Sequence, residues 1–151
     1  MERAVRIFFT MSHSGLNEDI LDVPLAHAVT DQLRAAFPDE DEEELDMIAQ
    51  LAAADDSIAV IGHEPFRIVA AADAEATYVG TDAYPSLVRP HHPITWEDIA
   101  AIFVDEESAA EDVLAARRGD AEAFDRCAEW DLLWYDPSER AQLAKELRGR
   151  L

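Results

Sequence analysis

Thirty-three Asp and Glu stand against twelve Lys and Arg, a formal net charge of −21 over 151 residues. A surface so anionic repels DNA, RNA and anionic lipid, which argues against a protein that grips a nucleic-acid backbone or a membrane surface. It also keeps a chain soluble without an oligomer. Hydrophobic residues still make up 49 % of the chain. That is ordinary for a globular protein, so a core can be buried and the charge does not enforce disorder. The length predicts one domain, residues 1–151, with one core.

Cys127 is the only cysteine, which rules out an intramolecular disulfide and a Cys-rich metal site. No apolar run approaches the length of about 18 residues that a membrane helix requires. Ile7-Phe8-Phe9 is too short for the core of a signal peptide. A cytoplasmic location is the expectation. The basic residues are eleven Arg and one Lys. That bias fits a GC-rich bacterial genome, or a salt-loving organism in which acidity is an adaptation of solvation.

The apolar pattern predicts strands over residues 3–11, 66–72, 77–79 and 99–104, and helices between them. Pro24 opens a stretch in which Leu25, Ala28, Val29, Leu33, Ala36 and Phe37 form one helical stripe. A second helix is predicted from Asp39 as N-cap, with acids crowding its first turns, as far as Asp55-Asp56-Ser57. Residues 80–93 hold Gly80, Pro85, Pro90 and Pro93 and read as a loop. Further helices are expected from Asp105 or Ser108 to Arg118, over 121–130, and from Pro137 to Arg148. Leu132-Leu133-Trp134-Tyr135 is the densest apolar run and is expected in the core.

Residues 94–105, from Ile94-Thr95-Trp96-Glu97-Asp98 to Val104-Asp105, lead into an acidic, Ala-rich helix, and Asp131-Leu132-Leu133-Trp134-Tyr135 comes later. Together with Glu42-Glu43-Glu44-Leu45, these stretches resemble a family of small uncharacterised actinobacterial proteins, a domain of unknown function. The resemblance lies mainly in the second half of the chain. It implies a small cytosolic α+β domain and supplies no activity and no catalytic residues.

Reaction motifs are missing. The five glycines, at 15, 62, 80, 119 and 149, are too scattered for a phosphate-cradling loop. Ser12-His13-Ser14-Gly15 is no nucleophile elbow, and Cys127 falls inside a predicted helix, where a cysteine is usually a small core residue. His63-Glu64 follows Gly62, and His91-His92 lies among prolines. Brought together, these four residues could hold Zn²⁺ and activate water. No H-x-x-x-H spacing supports this, and the plainer reading is exposed loop histidines, His13 and His27 included. Asp39, Glu40, Asp41, Glu42, Glu43, Glu44 and Asp46 form an acidic run. It lacks the glycine and the alternation of a calcium loop. As function it reads as a face for a basic partner; as structure alone it is a solvated helix start.

The fold expectation is a single α+β domain: a small mixed or antiparallel sheet with helices packed on one face, and Trp96, Phe103, Trp130, Leu133 and Trp134 in or at the edge of the core. The leading functional expectation is a non-enzymatic interaction or regulatory protein docking on a basic protein partner, with no cofactor, no direct nucleic acid and no membrane. The alternatives are a small metal-dependent hydrolase using His63, Glu64, His91 and His92, and a nucleic-acid-mimicking inhibitor.

Overall fold

The computed structural model describes residues 3–151. The chain is an α+β fold built on a seven-stranded antiparallel sheet. Its strands are β1 (Val5–Thr10), β3 (Ala26–Ala28), β4 (Ile68–Ala74), β5 (Ala76–Tyr78), β6 (Leu87–Pro90), β8 (Ile99–Asp105) and β9 (Leu132–Tyr135). They lie side by side in the order β5-β6-β3-β1-β4-β8-β9. The short strands β2 (Ile20–Leu21) and β7 (Ile94–Thr95) pair in a separate ribbon. The four strands read from the sequence are present as β1, β4, β5 and β8.

Side chains alternate between the two faces of each strand. On one face Phe8, Val69, Ala71 and Ala101 meet Ala49, Ala53 and Ala54 of helix α2 (Glu42–Val60). The small alanines let α2 lie close to the sheet. Helices α3 (Ala110–Arg117) and α4 (Ala121–Cys127) pack against the end of α2 through Ile58, Val113, Ala116 and Cys127. Helical cover also extends to the second face. There Ile7, Phe9, Ile68, Ala70, Ile102 and Val104 pack with Leu143, Ala144 and Leu147 of α5 (Arg140–Arg148) and with Leu16. Trp96 closes that side: its Nε1–H donates to the Glu18 carbonyl at 2.6 Å, and Arg140 lies over its ring at 4.5 Å.

Several local expectations give way to tertiary structure. The helix expected from Pro24 begins only at α1 (Asp31–Ala36), because Ala26-His27-Ala28 is drawn into the sheet between β6 and β1. Thr30 then caps α1 by accepting from the Leu33 N–H at 2.9 Å. The cap of α2 is Asp41 in place of Asp39, with its carboxylate accepting from the Glu44 N–H at 2.9 Å. Asp55-Asp56-Ser57 does not close α2, which continues to Val60. The stretch 80–93 contains strand β6. Leu132–Tyr135 is an edge strand in place of a core segment: Trp134 is 59 % exposed and Leu133 41 %. Only one neighbour, β8, is available to cover it.

Two arginines, Arg67 buried and Arg117 half-buried, tie the layers together. Arg67 and Asp105 form a pair with almost no exposure. Nε and Nη2 of Arg67 each donate at 2.8 Å to the carboxylate, and Nη2 also reaches the Cys127 carbonyl at 3.0 Å. Arg117 donates to the carbonyls of Ser57, Ile61, Glu64 and Phe66. Its guanidinium thereby ties the end of α2, a turn with no basic residue of its own, to the segment that leads into β4.

Candidate functional site

One row of α2, at a spacing of four residues, stays uncovered by the sheet: Ile48, Ala52, Asp56 and Val60. The neighbouring row, Leu45, Ala49, Ala53 and Ser57, faces inward and is buried. The outward row forms one wall of a trough. The other wall is built by Leu25, α1 with Phe37, and the turn carrying Tyr84. The trough consists of two cavities of about 320 and 460 Å³ that share His27 and Tyr84. At a rise of about 1.5 Å per residue the row from Ile48 to Val60 is roughly 18 Å long. Leu25, Phe37, Val60 and Tyr84 are large apolar side chains left exposed along it.

Gly80 fixes the Tyr84 turn. A Cβ there would run into the Tyr84 carbonyl and the Tyr78 ring, so only glycine lets the chain pass. Thr30 reinforces the turn by donating its hydroxyl to the Pro85 carbonyl.

At the floor of the trough lies a hydrogen-bonded chain of three side chains. His27 sits in the centre of β3, opposite Phe8 on β1 and Leu87 on β6, and so points to the α2 face. Its Nε2 is 2.7 Å from Asp56 Oδ2, and its Nδ1 is 2.7 Å from Ser86 Oγ. A carboxylate can only accept, so His27 donates Nε2–H to Asp56, and the Ser86 hydroxyl meets the ring at Nδ1. Serine, histidine and aspartate in series are the parts of a hydrolytic triad. Here the polarity of access is reversed. Ser86 and His27 are buried, whereas the Asp56 side chain is 46 % exposed. The end of the chain offered to solvent is an acceptor carboxylate, and the nucleophile end is closed.

The electrostatics of the trough are one-sided. Asp22 and Asp56 line the larger cavity and Asp82 the smaller, and no Lys or Arg lines either. Beside Asp56, burial pushes the Asp55 carboxyl above its ordinary range, opposed by the Arg67 charge and aided by that of Asp56.

The acidic run lies at the other end of α2. Asp39 and Glu40 are in the turn after α1, Asp41 is the cap, and Glu42, Glu43 and Glu44 form the first turn. Arg34 donates to Glu42 at 2.9 and 3.2 Å, and this holds the Glu42 carboxyl below its usual range. Asp46 is half-buried, and burial raises its carboxyl.

The four residues of the metal alternative are not gathered into a site. Glu64 is buried and accepts the His13 N–H at 2.8 Å, while His63 is exposed in the turn after α2. His91 sits against Thr77, with Nε2 2.6 Å from its Oγ1, and its ring meets that of His92 edge to face. Among the described residues, no three His, Cys, Asp or Glu side chains come together in a way that could hold a metal ion. Cys127 is buried, and burial raises its thiol pKa, which disfavours the nucleophilic thiolate. His27 is a buried strand residue and not a loop histidine. Sequence reasoning passed over His27, Asp56 and Ser86 as a group, since they lie on three separate elements. The one available signal was a histidine between two alanines, the alternation of a strand.

Fold and site together define an α+β protein with an acid-lined apolar trough. The chain belongs to a family of unknown function, DUF6912, which matches it over residues 5–144 and so spans both halves. No curated protein and no solved structure matches it.

Proposed function

We propose that this chain is a non-enzymatic interaction or regulatory protein of the cytoplasm, acting as a single domain, that docks a basic segment of a protein partner along α2. The observation that supports this reading is the trough: apolar walls, the His27–Asp56–Ser86 chain at its floor, carboxylates along it, and no Lys or Arg in its lining. Its length of roughly 18 Å suits about three turns of a partner helix laid in a groove. The acidic run at the start of α2 extends the same sign of charge beyond the trough. Opposite charge on the partner would steer its approach and fix its register. No helix of the described residues is long and apolar enough to cross a membrane.

The test is a pull-down from lysate at low salt, followed by titration of the captured protein. Recovery of a basic protein, binding that weakens steeply with salt, and loss of binding on converting Glu43, Glu44 and Asp56 to Lys are the expected results. Binding that ignores both salt and these substitutions would remove the proposal.

A further inference from the structure

The larger cavity carries more information than its charge. Val23, Leu25, Val60, Tyr84 and Leu87 line it, and its volume is about 460 Å³. Asp56 and His27 reach it from opposite elements and are bonded to each other at 2.7 Å. That bond takes one acceptor site of Asp56 Oδ2 and fixes the carboxylate, whose other acceptor sites stay open. The forked guanidinium of Arg bonds a carboxylate best through both oxygens. An ammonium carries three donors on a rotatable end, so it can meet acceptors that lie apart, as the Asp56 and Asp22 carboxylates do on this lining. The apolar walls suit the four-carbon stem that Lys lays along hydrophobic surface while keeping its charged end at a polar group. Asp22, also on the lining, adds a second negative charge.

We propose that this cavity is the receptor for a lysine side chain on the partner segment, its ammonium seated on Asp56 and its stem held among Leu25, Val60 and Leu87. The inference rests on the reading of the trough as a docking groove and specifies which side chain it takes. His27 acts as a positioning residue. By donating Nε2–H it orients Asp56, and Ser86 holds the ring through Nδ1.

The probe is a short peptide with one Lys set among Leu and Gln, together with its Arg and acetyl-lysine counterparts. Each is titrated into the intact protein and followed by NMR. The Lys peptide is expected to shift the signals of Leu25, Val60, Tyr84 and Leu87, and to bind about threefold more tightly than the acetyl-lysine form, which lacks the charge. The Arg peptide is expected to fall between them. In D56N that can still accept from His27, the advantage of Lys over acetyl-lysine should vanish, with the fold checked by the dispersion of the same spectra. H27N should reduce the advantage without abolishing binding. Equal binding of Lys and acetyl-lysine peptides, or discrimination that survives in D56N, would overturn the assignment. Saturation of the cavity by lysine amide alone, as tightly as by the peptide, would also overturn it and make the occupant a small amine. Salt-dependent capture of a basic partner could persist in every one of these cases, so the wider docking reading fails separately.

Discussion

His27 Nε2 and Asp56 Oδ2 lie 2.7 Å apart, joining the middle of a central strand to the last turns of the longest helix. Behind that bond stands Ser86, whose hydroxyl is 2.7 Å from His27 Nδ1. The S86A substitution removes the one partner of a buried ring nitrogen. It is expected to cost about 1–3 kcal/mol, since a buried polar atom is left unsatisfied. Urea unfolding measures this. A loss near zero would show that the hydroxyl does not hold the ring.

Arg67 and Asp105 are buried together, and breaking such a pair strands a charge. R67M is expected to destabilise by about 3–5 kcal/mol, and D105L likewise. The double variant should recover part of the loss, because no buried charge is stranded, although the Arg67 backbone N–H loses its carboxylate acceptor. Denaturant midpoints of the two single variants and the double variant decide the matter, with additive losses as the contrary result.

Arg117 should matter through the end of α2. R117M removes the donor to four backbone carbonyls and is expected to cost about 3 kcal/mol, as for hydrogen bonds to a charged group. The loss should be accompanied by faster amide exchange around residues 57–61. Unchanged exchange there would place the effect elsewhere.

The edge strand makes a sharper comparison. W134A should change stability by less than about 1 kcal/mol, since the ring is largely exposed. L147A, at a side chain with no exposure, should cost about 2–5 kcal/mol. Equal losses would contradict the placement of Leu132–Tyr135 on the rim of the sheet.

Asp112 sets a pH dependence. Trp130 Nε1–H and Arg126 Nε each donate to it at 2.9 Å, and these bonds, that from Trp130 first, hold its carboxyl below the ordinary range. The unfolded chain therefore binds the proton more readily than the folded one. Stability from this group is present above the unfolded pKa and disappears as pH falls through the folded value. Acid unfolding followed by tryptophan fluorescence should show a smaller acid-side loss in D112N than in the parent. An identical acid limb in the two proteins would exclude this linkage.

The long-range parts of the fold were legible where a segment's own pattern agreed with its final surroundings. Val5–Thr10 and Ile99–Asp105 are dense in β-branched and aromatic residues and became central strands. Asp136-Pro137 announced a helix start, and Asp136 and Glu139 do form a reciprocal cap there. Ala26–Ala28 was misleading because its alanines fit a helical stripe as well as a strand. The deciding contact is with β1 and β6, far away in the sequence. Asp55-Asp56-Ser57 looked like a helix end, yet Ser57 faces inward and meets Arg117, so the helix runs on.

By itself the sequence determined the sign of the surface, the α+β class, the main strands and the acid-rich start of α2. These follow from composition and local periodicity, which act within a few residues. Tertiary structure alone decided that Leu132–Tyr135 lies at an edge, that Arg67 and Asp105 are buried as a pair, and that His27, Asp56 and Ser86 form one chain. Each of these depends on which elements become neighbours. Hydrogen bonds between residues far apart in sequence leave no periodic trace in the chain, and they form only where the sheet and helices bring their donors and acceptors within reach.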